Sequence, residues 1–138
     1  MNHRGRIVRG VWAACLLLGG LNHARILFQH GLSWDYYGAN SASAFYWSSL
    51  TIVDPLVAVL LIVRPRLGVP ATVIVIATNV VHNLLVTSRN APVGAFLESV
   101  TASWQLLSQI GFLIIVIATW RIAWKDVRVP STGRARLS

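Results

Sequence analysis

Four apolar stretches account for most of this chain, at about Ile7 to Gln29, Ala44 to Val63, Leu67 to Thr87 and Phe96 to Trp120. Each has about the 20 residues that a helix needs to cross a hydrocarbon core. In lipid, backbone polar groups must be satisfied within the segment, so only helices or closed barrels can span. Runs such as Val69 to Ala77 and Ile110 to Ala118 are too long for ordinary strands. They also lack the polar–apolar alternation of barrel strands. The links between stretches two, three and four are short, which implies antiparallel neighbours. The expected fold is therefore all-α, an integral membrane up-down four-helix bundle.

Composition and charge agree. The chain is 55% hydrophobic and 12% charged, where a soluble domain carries about 25% charged residues. A net charge of +8 would suit nucleic acid only if it formed one face. Instead ten of the twelve Lys and Arg residues flank apolar stretches: Arg4, Arg6 and Arg9; Arg64 and Arg66; and Arg121, Lys125, Arg128, Arg134 and Arg136. No nucleic-acid partner is expected. The loop from His30 to Ser43 carries no Lys or Arg, and the one near Ser88 to Ala95 carries only Arg89. This asymmetry puts both termini in the cytoplasm and two loops outside. Trp34, Tyr36, Tyr37, Tyr46 and Trp47 read as an outer aromatic belt, and Trp12, Trp120 and Trp124 as an inner one. Arg outnumbers Lys eleven to one, a coding bias that suggests a bacterial plasma membrane.

The basic start and the run Val11 to Leu21 resemble a secretory signal, but no small-x-small cleavage site follows, so the stretch reads as a retained helix. The single Cys15 excludes an internal disulfide and reads as a small buried apolar residue. Arg64-Pro65-Arg66-Leu67-Gly68 forms an inner turn, with Pro70 placed in the first turn of the third helix. Asn90-Ala91-Pro92-Val93-Gly94 forms an outer turn. The loop Gly31 to Ser43 is a candidate short helix or lid. Residues 1–126 form the transmembrane domain, and 127–138 read as a disordered basic tail.

The candidate site is a set of polar residues inside the apolar stretches: Asn22, His23, Arg25, Asp54, Asn79, His82, Asn83, Gln105 and Gln109. Ionisable residues at membrane depth are costly and mark functional sites by default. At a rise of about 1.5 Å per residue, His23 lies roughly 21 Å from Arg9, Asn79 roughly 20 Å from Arg66, and Asp54 roughly 15 Å from Arg64. Gln105 lies roughly 24 Å from Arg121. All fall between the midplane and the outer third of a core about 30 Å thick. Helical phase groups Asn22 with Arg25 and Gln29, Ser48 with Thr51 and Asp54, Asn79 with His82 and Asn83, and Thr101 with Gln105, Ser108 and Gln109. Four such stripes can meet in one pocket.

Asp54 precedes Pro55, whose missing donor is expected to kink the second helix. Asp54 and Arg25 form either a buried structural ion pair or a functional site in which Asp54 serves as counter-ion or proton acceptor. His23 and His82 read as hydrogen-bonded bundle histidines, as ligand or acid–base contacts, or as axial ligands of haem b; no other metal site is expected. Glu98 suits the N-terminal dipole of its helix.

The stretch Phe45-Tyr46-Trp47-Ser48-Ser49-Leu50-Thr51-Ile52-Val53-Asp54-Pro55, the turn Arg64-Pro65-Arg66 and the run Thr78-Asn79-Val80-Val81-His82-Asn83 resemble the sterol-isomerase-like (EXPERA) membrane family, which includes the sigma-2 receptor. That family has cytoplasmic ends, an acid early in its second core helix and a histidine in the next. Where the family also has an acid in the first helix, this chain has Asn22, His23 and Arg25. The resemblance implies that Asp54 and His82 line a lipid-accessible pocket for a sterol-like or amphipathic molecule.

Together these readings favour binding of a small amphipathic or lipid-like ligand over catalysis. The alternative is a haem-binding, redox or accessory subunit of a larger membrane complex. The expected partners are the lipid bilayer, an amphipathic ligand, and a second copy or a membrane-complex subunit.

Overall fold

The structure, a computed structural model, describes residues 3–31, 34–36, 38–125 and 127. Its elements are α1 (His3–His30), α2 (Ser41–Val63), α3 (Pro65–Asn90), α4 (Phe96–Ala102) and α5 (Trp104–Trp124). Helices α1, α2, α3 and α5 are long and apolar enough to cross a membrane.

Local chemistry sets the ends. Asn40 caps α2, its side chain accepting from the Ser43 amide at 2.9 Å, so α2 begins three residues before the apolar run Ala44 to Val63. Arg64 alone separates α2 from α3, and Pro65 occupies the first position of α3, where a missing amide costs nothing. Pro70 therefore lies in the second turn of α3, not in the first. The loop after α1 holds no helix among its described residues. It turns instead through Gly31, Tyr36 and Gly38, all at positive φ.

The fourth apolar stretch is not one helix. Ser103, at φ −90° and ψ 94°, separates α4 from α5. Its hydroxyl accepts from the Leu106 amide at 3.3 Å and so caps α5. A short polar side chain can offer the backbone this alternative to a continuous helix. Glu98 sits in the first turn of α4, in line with the expected dipole role. Pro55 lies inside α2, which runs on without a break to Val63.

The long helices close a ring in chain order, α1 on α2, α2 on α3, α3 on α5 and α5 on α1, with only marginal contact between α1 and α3. The core fills the end of the ring that holds the start of α1 and the end of α5. Trp12, Leu16, Val57, Leu61, Val69 and Val116 are buried there in one cluster. Trp12 is not a belt residue: it is wholly buried, and its indole donates to Thr119 Oγ1 at 3.1 Å. Arg9 is buried too and donates to the Ala123 carbonyl at 2.8 Å, which answers an unsatisfied group at the end of α5. Arg66 donates in the same way to the Val127 carbonyl at 3.0 Å. Val127 is therefore packed against the bundle; residues 128–138 of the expected tail lie outside the described residues.

Glycines permit the close crossings. A Cβ on Gly68 would run into the Leu61 backbone, and one on Gly20 would lie 2.8 Å from Pro55 Cδ. Small residues at helix contacts are the usual packing device in membranes. The outer faces are apolar: Phe28, Phe45, Ile52, Ile62, Leu97, Ile114 and Ile117 are exposed, far more than a soluble monomer shows.

Candidate functional site

The half of the ring opposite the core encloses a cavity in two lobes. The inner lobe, of about 290 Å³, is walled by α1, α3 and α5 with Asp54 of α2 at its base. The outer lobe, of about 610 Å³, reaches the loop after α1 and the α4–α5 break. Asn22, His23, Trp104, Gln105 and Gln109 border both lobes and form the waist between them.

Eight of the nine sequence-derived residues line this space. Asn22, His23, Gln105 and Gln109 stand at the waist, Asp54 and Asn79 in the inner lobe, and Arg25 and Asn83 in the outer lobe. His82 does not join them. Its ring packs on Tyr46 and Trp47 at centroid distances of 4.5 and 5.5 Å, in the seam between α2 and α3. Axial ligation of haem by His23 and His82 needs both imidazoles to face one space. His23 lines the cavity, and His82 does not.

Asp54 and Arg25 do not form an ion pair with each other, which removes the structural one of the two alternatives. Asp54 is buried, and Arg25 is exposed on the rim. The carboxylate lies beside Gly19, where a Cβ would sit 3.0 Å from Oδ2. Six residues of α1, about 9 Å of rise, separate that level from Arg25. Among the described residues, neither side chain has a hydrogen-bond or ion-pair partner.

The polar layer of the cavity divides into two walls; outside its lining, Thr51 Oγ1 of α2 and His82 Nε2 of α3 are buried without a hydrogen-bond partner among the described residues. On the α2–α3–α5 side, Trp47 Nε1 donates to Asn83 Oδ1 at 2.9 Å. The Asn83 amide donates in turn to Asn79 Oδ1 at 3.1 Å and to Gln109 Oε1 at 2.7 Å. Three helices are tied through one asparagine. On the α1 side, the Asn22 and Gln105 side chains make no hydrogen bond to a described residue. His23 is nine-tenths buried, and its Nδ1 has no partner. Buried polar groups are normally satisfied, so each exception calls for an explanation.

Several cavity residues escape a reading of the sequence. Trp47 reads as a belt residue by position, yet it anchors the network. Trp104 borders both lobes while 71% exposed; the only available sign is the serine before it. His30 stacks on Trp34 at 3.9 Å, and Trp34 packs on Tyr36, which together roof the outer lobe. Cys15 and Phe112 line the inner lobe. Thr101 lies beyond the Ser103 break from the Gln105 stripe and bonds to carbonyls of its own helix.

Comparisons with known proteins yield no match: no family model, curated protein or solved structure is similar to this chain.

Proposed function

We propose that this chain is a small multi-pass integral membrane protein that binds a small amphipathic or lipid-like ligand in its two-lobed cavity. Both termini lie on the cytoplasmic side, in a plasma membrane that the coding bias suggests is bacterial. The cavity opens in the outer half of the bilayer. One observation carries the reading. The helices are apolar outside and border a cavity in which the Asp54 carboxyl, the His23 Nδ1 and the Asn22 and Gln105 amides have no hydrogen bond to a described residue. Polar groups at membrane depth are expensive unless something satisfies them. The volume falls in the range of small-molecule sites, about 300–1,000 Å³.

A purely structural role explains the α1 wall poorly. Interhelical polar contacts in membranes average roughly 0.6 kcal/mol each, and this wall does not make even those. The test is a thermal-shift series on purified protein with sterols, fatty acids and amphipathic amines. A shift with at least one of them, reduced in Asp54→Asn, is the expected result. The absence of a shift across the whole panel would count against a binding role.

A further inference from the structure

The two lobes carry different ionisable groups. Arg25 lines the outer lobe, and no acid lines that lobe among the described residues. Asp54 is the acidic group of the inner lobe, whose other walls include Leu16, Ile76 and Phe112. Arg25 and Asp54 sit about 9 Å apart in axial level, and the passage between them runs through the waist of Asn22, His23, Trp104, Gln105 and Gln109 and past the apolar Leu16, Ile76 and Phe112. Neither has a hydrogen-bond or ion-pair partner among the described residues.

We propose that the cavity takes a bipolar single-chain amphiphile, with an anionic head on Arg25 at the rim and a hydrogen-bond donor at the far end against Asp54. This rests on the reading of the cavity as a ligand site and adds the chemical class. An anionic head meets the guanidinium with a charge-assisted bond, stronger than a neutral one. A cationic head at the same rim meets like charge and is rejected. At the inner end, a hydroxyl or amide N–H supplies the donor that the buried carboxyl group lacks. A chain ending in a methyl group leaves that carboxyl group unanswered, which is the costly outcome for a buried polar atom.

The route of entry follows from the same walls. Leu18 and Arg25 of α1, and Trp104 and Gln105 of α5, are exposed on the outside of the bundle and also line the cavity. The gap between α1 and α5 thus opens sideways. It is closed toward the other end by Trp12 on Thr119 and Arg9 on Ala123. A molecule dissolved in the bilayer reaches the cavity through this gap with its chain leading.

The chain carries its own reporter. Cys15, its single cysteine, is half-buried and lines the inner lobe. The experiment measures the rate of Cys15 alkylation by N-ethylmaleimide in full-length protein held in phosphatidylcholine nanodiscs. Four probes compete: ω-hydroxydodecanoate, its methyl ester, dodecanoate and dodecylammonium. The expected result is protection by ω-hydroxydodecanoate at about tenfold lower concentration than by its methyl ester, the size of one charge-assisted hydrogen bond. Dodecanoate falls between them. Arg25→Gln, a change at an exposed position, removes the difference between acid and ester. Protection by dodecylammonium or the ester equal to that by the hydroxy acid overturns the ligand class and leaves the cavity reading intact. A Cys15 that reacts in the bilayer but is protected by none of the four also overturns the class. A Cys15 that reacts only after denaturation overturns the open cavity itself.

Discussion

On the α2–α3–α5 side of the bundle, Trp47, Asn79, Asn83 and Gln109 satisfy one another in a single network. On the α1 side, at similar depth, Asn22, Arg25, Asp54 and Gln105 have no such bond to a described residue. The residue types are alike on the two walls, and what differs is geometry. α3 faces α5 closely enough for the Asn83 amide to reach Gln109 at 2.7 Å. α1 and α5 join at the core end through Trp12 and Arg9 and leave a gap beyond. Polar residues in these apolar helices thus have two uses in one protein, as a clamp where helices close and as a lining where they part.

This contrast can be broken or sharpened by substitution, and the largest effect is expected where the ring itself closes. In Gly68→Ala the new Cβ meets the Leu61 backbone, which cannot rotate away. A loss of about 3 kcal/mol is expected, read as reduced unfolding stability in detergent. Survival at wild-type stability would mean that α2 and α3 are farther apart than described.

Next comes the clamp. Asn83→Leu deletes two interhelical hydrogen bonds and one within α3, which should cost about 2 kcal/mol, roughly 0.6 kcal/mol for each interhelical bond and the rest for the stranded Trp47 indole. The same unfolding assay checks it; no change would show that the network is incidental. Trp12→Phe keeps an aromatic ring in the core but loses the bond to Thr119, for about 1 kcal/mol. Thr119 keeps its bond to the Ile115 carbonyl at 2.6 Å, so only the indole donor is lost, along with some packing.

The smallest stability effect belongs to the α1 wall. Asn22→Leu removes a group without a partner, so stability should stay within about 0.5 kcal/mol of wild type. Ligand-induced thermal shift should fall in the same variant. If Asn22→Leu destabilises as much as Asn83→Leu, the two walls are equivalent and the contrast dissolves.

Much of the architecture was legible beforehand. Stretches of about 20 apolar residues leave a backbone few options, and α1, α2 and α3 appear where those stretches lie, each somewhat longer than its apolar run. The added turns are polar residues at the ends, such as His3 to Arg6 and Ser88 to Asn90, which hydropathy does not count. The Ser103 break was not legible, because a single serine in an apolar run reads equally well as a helical residue bonded to its own backbone, as Ser99 and Ser108 are. Trp12 and Trp47 misled for a related reason. Belt tryptophans and buried tryptophans have the same composition and the same distance from a basic end; only the neighbouring helix decides whether an indole finds a partner.

The candidate site shows the same division. Depth and helical phase come from the sequence, since the rise and turn of a helix are constant, and of the nine polar residues they single out, eight line the cavity. His82 has the same depth and nearly the same phase as Asn79 and Asn83, yet it turns into the Tyr46–Trp47 seam. Its place depends on which helix stands beside it, which no one-helix count contains. The sequence by itself determined how many long apolar stretches there are, which faces are polar and where along each stretch every polar residue lies. The tertiary structure alone decided which of those residues bond to each other and which face open space, because hydrogen bonds reach only about 3 Å and the gap between helices varies by more than that along the bundle.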